Sequence, residues 1–167
     1  MSYGSGNFSG EQWIDTVTLS PDLVISKQSI GVASTSAGMN PGVDGIIGVG
    51  PIDLTNNTVA NTDTVPTVTG NLFSQGTISK EVLGVYYIPI AETGNGELTF
   101  GGYDESATSE PVVYVPLTTT SPASKYWGID QSISYGDDVI LSTTAGIVDT
   151  GTTLILIATG ETLSLND

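Results

Sequence analysis

Ala145-Gly146-Ile147-Val148-Asp149-Thr150-Gly151-Thr152-Thr153 sets one carboxylate between an apolar, strand-like run and a second apolar run at residues 154–157. A carboxylate drawn toward an apolar interior must be paired or accept hydrogen bonds, and the hydroxyl and glycine neighbours of Asp149 can supply donors at close range. The same mixture of branched, hydroxylic and glycine residues runs through the whole chain. Its 21 glycines and 8 prolines, with abundant Ser, Thr, Val and Ile, mark short strands with frequent turns. No long segment repeats at helical spacing. The expectation is an all-β fold.

Outward from Asp149, residues 126–134, 139–141 and 145–148 read as strands, preceded by the linker-like Thr118-Thr119-Thr120-Ser121-Pro122. Residues 23–25, 30–33, 82–90, 97–101 and 112–117 read as further strands. Residues 11–19 alternate, with Trp13, Asp15, Val17 and Leu19 on one face, and Ser20-Pro21-Asp22 closes that strand as a turn. The opening Tyr3-Gly4-Ser5-Gly6-Asn7-Phe8-Ser9-Gly10 suits a mobile hairpin tip of which only the outgoing strand is present. One short helix is expected over residues 68–75, with Leu72 and Phe73 on its apolar side and Gly76 as its stop. Residues 53–63 read as a polar surface loop. Within it Asn56-Asn57-Thr58 is a glycosylation sequon if the protein is secreted, and Asn7-Phe8-Ser9 is a second.

Charge narrows the chemistry. Against 18 acidic residues stand only Lys27, Lys80 and Lys125, giving a net charge of -15. Three scattered lysines cannot form a phosphate-binding surface, so neither nucleic acid nor an anionic membrane is an expected partner. A chain with so few cations accumulates little positive charge when its carboxylates protonate, which suits work in acid. The chain has no cysteine and no histidine, which removes disulfides, thiol catalysis, Ser-His-Asp triads and the commonest transition-metal ligand. Any enzyme here works with carboxylates or hydroxyls, and neither a metal nor a cofactor is expected. No apolar run is long enough to span a bilayer, and residues 1–10 lack the features of a signal peptide, so an export signal, if any, is expected upstream.

Asp-Ser/Thr-Gly alone is weak evidence, since this composition yields roughly a third of such a match by chance. Several segments read in order say more. Tyr3-Gly4-Ser5-Gly6 is similar to the flap tip of the pepsin family of aspartic proteases, and Asp44-Gly45-Ile46-Ile47-Gly48 to a segment of that family's first lobe. Leu98-Thr99-Phe100-Gly101-Gly102-Tyr103-Asp104 resembles its Phe-Gly-Gly-x-Asp strand and turn. Tyr126-Trp127 resembles the aromatic pair entering the second lobe, and Val148-Asp149-Thr150-Gly151-Thr152-Thr153 the second catalytic loop. The acidic, cysteine-free look is most like fungal secreted members.

The resemblance implies a pepsin-like bilobal acid protease fold, here incomplete: residues 1–117 hold the end of the first lobe and residues 118–167 the start of the second. It implies an aspartic endopeptidase that cleaves polypeptides in acid, with two aspartates sharing a proton across a water. Asp149 takes the second aspartate's role, and Thr150 and Gly151 hold its loop. Thr152 and Gly151 touch substrate, Tyr3 covers the cleft, and Gly4 and Ser5 offer backbone hydrogen bonds to an extended peptide. Ile46, Tyr126 and Ile147 are subsite walls on this reading and core or strand-packing residues on the plainer one. The family's first Asp-Thr-Gly-Ser is not in this sequence, so the chain alone is expected to be inactive and the full-length enzyme a secreted monomer. Pairing of two copies, as in retroviral proteases, is disfavoured because neither lobe is whole. The alternative from another class is a non-catalytic β module that binds peptide or glycan.

Overall fold

Alternating β-branched and polar residues build the longest feature, a hairpin of β1 (Asn7–Ser20) and β2 (Leu23–Ala37), in a computed structural model that describes residues 1–4, 6–38, 42–89, 91 and 93–157. Pro21 and Asp22 make the turn, where a fixed φ and a missing N–H cost nothing. The antiparallel register runs from Asn7↔Ala37 to Ser20↔Leu23, with irregularities at Ser9/Gly10, Asp15/Val17 and Thr18/Ser20. At the second of these, the Thr16 N–H left out of the ladder donates to Asp15 Oδ1 at 2.7 Å. The two strands expected at residues 23–25 and 30–33 are one. Polar Gln28 lies between them, yet it is buried with its amide satisfied: Nε2 donates to Ser29 O and Oε1 accepts from Asn71 Nδ2 at 2.9 Å.

The chain divides into two compact units, Met1–Val112 and Val113–Asp167. In the first, α1 (Val68–Ser74) lays Val68 and Leu72 against Ile25 and Ile78, with Leu19, Leu23 and Phe100 around them. Leu72 is fully buried, whereas Phe73 is 45% exposed, so only one of the two apolar residues expected on the inner face reaches it. A helix this short buries the i, i+4 pair Val68 and Leu72, and Phe73 is rotated off that face. Thr67 caps the start, accepting the Gly70 N–H at 3.3 Å. Gly76, at φ +79, ends the helix as expected: its N–H donates to Phe73 O and the Thr77 N–H to Leu72 O, the paired bonds of a Schellman cap.

Beside that core, β3 (Leu83–Tyr86) pairs antiparallel with β4 (Glu97–Phe100). The strand expected over residues 82–90 is therefore shorter, and its last residue, Ile90, lies outside the described residues. Residues 112–117, expected as a strand, form none, because no described residue pairs with them. In the second unit, β5 (Gly128–Tyr135) and β6 (Asp138–Ile147) form an antiparallel hairpin around Gly136, at φ +59. The two strands drawn at 139–141 and 145–148 are again one. Strands predominate and helices are few and short, as an all-β fold requires.

Candidate active site

The end of β6 fixes the Asp149 loop. Ile147 pairs with Gly128 across the hairpin, and one residue later the Val148 N–H donates to Trp127 O at 2.9 Å, so the ladder holds the backbone up to the aspartate. Beyond it the chain folds back over the carboxylate. Oδ1 accepts the Gly151 N–H at 2.9 Å and Oδ2 accepts the Thr152 hydroxyl at 2.6 Å. Both oxygens thus have donors drawn from within three residues. Asp149 is exposed in this chain and not sunk in apolar surroundings, so the hydrogen bonds foreseen for it form without the burial foreseen for it. A carboxylate aimed at open space with its orientation fixed by two donors can take up a water or a proton on its remaining lone pairs.

The partner strand is anchored just as locally. Thr118, 4% exposed, donates its N–H to Gly128 O at 2.9 Å and its hydroxyl to Asp130 Oδ1 at 2.7 Å. Gly128 has no room for a side chain, since a Cβ there would lie 2.3 Å from Ala123 O. Tyr126 follows the 3-10 turn Ala123–Lys125, its N–H donating to Ala123 O at 3.0 Å. Tyr126 and Ile147 are 38% and 43% exposed. The second unit therefore gathers Asp149, Gly151, Thr152, Ile147 and Tyr126 around the ends of one hairpin, with Thr150 in the same loop.

Tyr3, Gly4 and Ile46 belong to the first unit. Tyr3 and Gly6 are joined by a hydrogen bond of 2.7 Å from the Tyr3 N–H, and Met1 exchanges backbone bonds with Phe8. Together with the Ser2↔Asn7 bridge, these bonds supply an incoming side to the tip, which sequence reading had given only an outgoing strand. Gly4 faces open space, while Ser5 lies outside the described residues. Ile46 is 53% exposed in a stretch without regular structure, so it is no part of the unit's core.

Sequence reading passed over Phe8. Its ring stacks on Tyr3 with centroids 6.2 Å apart and planes 26° from parallel. Beneath it, a Cβ at Gly31 of β2 would meet Phe8 Cε2 at 3.3 Å, so a glycine opposite the ring gives it a seat. Partial burial there pushes the Tyr3 phenol above its usual range. In the register Gly31 lies opposite Gln12 and Phe8 opposite Ser36, so it is the reach of the ring across the hairpin that brings it to Gly31, and residue order alone does not show it. Among the described residues no group of acidic side chains is arranged to hold a metal.

A family model described as eukaryotic aspartyl protease matches residues 1–167. Polyporopepsin of Irpex lacteus is 57% identical over 163 residues, covering 95% of this chain and 47% of that protein. Rhizopuspepsin-1 of Rhizopus niveus is 36% identical over 161 residues, covering 94% of this chain and 39% of its own length. The crystal structure of an aspartic proteinase from Irpex lacteus superposes with a TM-score of 0.94 at 55% identity, covering 99% of this chain and 49% of that one. The chain spans about half the length of these relatives or less, and over the shared stretch its strand-rich architecture is theirs.

Proposed function

Because the chain belongs to the eukaryotic aspartyl protease family, we propose that the protein containing it is an aspartic endopeptidase that hydrolyses polypeptides in acid, with Asp149 as one of two catalytic carboxylates. The observation that carries this is the Asp149 loop itself, with Gly151 N–H and Thr152 Oγ1 holding the two carboxylate oxygens at 2.9 and 2.6 Å. Two carboxylates a few ångströms apart cannot both ionise easily, so one keeps a proton to polarise the scissile carbonyl while the other takes a proton from the attacking water. No second Asp-Ser/Thr-Gly occurs in residues 1–167, so the partner carboxylate comes from outside them.

Residues 1–117 act as the end of the first lobe and 118–167 as the start of the second, a division that the two compact units support. In the first unit Tyr3, Gly4 and Ser5 cover and hydrogen-bond an extended substrate and Ile46 lines a subsite; in the second, Tyr126 and Ile147 line subsites beside Gly151 and Thr152. The exposed side chains of Ile46, Tyr126 and Ile147 support that role over core packing. Family membership supports an extracellular enzyme, work in acid calls for an acidic medium or compartment, and a net charge of -15 with three lysines favours a monomer.

The test is proteolysis of a denatured protein substrate by the full-length gene product between about pH 3 and pH 7. Cleavage strongest in acid and blocked by a transition-state-mimicking aspartic protease inhibitor is expected. Cleavage that ignores the inhibitor, or none, would refute the proposal.

A further inference from the structure

Two Asn-x-Ser/Thr triplets occur in the chain, and the fold treats them differently. Asn7 opens β1 opposite Ala37 and bridges to Ser2. Its neighbour Phe8 stacks on Tyr3, and the Ser9 hydroxyl shares a 2.7 Å hydrogen bond with that of Thr35. All three residues are thus committed to the hairpin. Asn56, exposed as Asn7 is, instead follows the 3-10 turn Ile52–Thr55 outside any strand, with φ -60 and ψ 128. Its side-chain oxygen accepts from Asn57 Nδ2, and its own Nδ2 makes no hydrogen bond among the described residues. Thr58 donates its hydroxyl to Thr55 O at 2.7 Å, and Asn57, at φ 56, turns the chain away. Alongside lies an open, polar hollow of about 760 Å³ lined by Asn57, Val59, Ala60, Asn61, Thr62 and Asp63.

We propose that Asn56 carries an N-linked oligosaccharide in the mature protein and that Asn7 stays bare. A glycan is bulky and needs open surface on every side, which the turn and hollow at Asn56 provide. One at Asn7 would stand on the hairpin whose tip is proposed to cover a bound peptide. The modification rests on the extracellular routing proposed above, because only an exported chain meets the transferase. The reaction joins Asn56 Nδ2 to the anomeric carbon of a lipid-diphosphate-linked oligosaccharide. As that C–N bond forms, the carbon's bond to the diphosphate oxygen breaks, and one amide proton passes to a base.

The full-length gene product is expressed in yeast behind the host's own signal peptide, so that entry to the secretory route does not depend on this protein's leader. Peptide N-glycosidase in heavy-oxygen water converts each glycosylated Asn to labelled Asp, which peptide mass spectrometry locates. Label at position 56 and none at 7 is expected. Asn56→Gln and, independently, Thr58→Ala should each migrate faster on a gel, and Asn7→Gln should not. An unlabelled Asn56 or a labelled Asn7 overturns the assignment, even where the acid-protease assay succeeds. Failure of that assay with label at Asn56 counts against the protease reading alone.

Discussion

At Asp149 the Thr152 hydroxyl makes the shorter of the two hydrogen bonds described above, so its removal isolates one charge-assisted bond. Such a bond is worth about 1.5–3 kcal/mol, and Thr152→Ala is expected to lower kcat in the full-length enzyme by about ten- to a hundredfold, with Thr152→Ser restoring most of it. A steady-state assay of the three forms checks this; an unchanged kcat in the alanine variant would show that the hydroxyl does not serve the reaction. Tyr3 offers a pH test. Its phenol is raised by partial burial, so the hairpin favours the neutral form, and the stability this gives is intact throughout the acid range. That stability is lost as pH climbs from the ordinary tyrosine value through the raised one. Phe8→Ala removes the covering ring and is expected to move the Tyr3 titration back down, read as phenolate absorbance against a Tyr3→Phe control. The loop around Asp149 was legible because its donors lie within three residues of it. Phe8 was not, because its seat at Gly31 belongs to another strand.

Short elements depend on their ends and on one or two buried contacts. Leu72 is fully buried at the centre of the first unit's core, and Leu72→Ala is expected to cost about 2–5 kcal/mol, whereas Thr67→Ala, which removes only the cap, should cost about 0.5–2. Urea unfolding of the full-length protein ranks the two; a cap variant as damaging as the core variant would contradict the placement of the core. Elements signalled by local chemistry were readable: α1 stops at Gly76, and the β1–β2 turn sits at Pro21-Asp22. Where pairing decides, reading failed both ways. Residues 26–29 fall outside the two strands expected there, and nothing in the sequence announces that Asn71, far along the chain, satisfies buried Gln28. Residues 112–117 are branched and aromatic like a strand, but Val113 and Tyr114 are 82% and 71% exposed and no described residue offers a ladder.

For the whole molecule, the fold class followed from composition because glycine, proline and branched residues bias every segment the same way. The catalytic assignment needed more than composition. With one Asp-Thr-Gly in residues 1–167, neither a shared proton nor a second carboxylate is at hand, so this chain alone is expected to leave peptides uncut at any pH. Incubation with denatured substrate and inhibitor checks that. Inhibitor-sensitive cleavage in proportion to chain concentration would refute it, and cleavage rising with its square would indicate paired copies. The role of Asp149 is tested most directly by Asp149→Asn in the full-length gene product, assayed in acid beside the wild type with circular dichroism to verify the fold. Asparagine keeps the shape, its one amide oxygen can still accept the Gly151 N–H and its amide NH2 can donate to the Thr152 hydroxyl oxygen, but it cannot exchange a proton with water. A loss of activity of about 10²–10⁴-fold or more with an unchanged spectrum is predicted; activity within a few-fold of wild type would contradict the account.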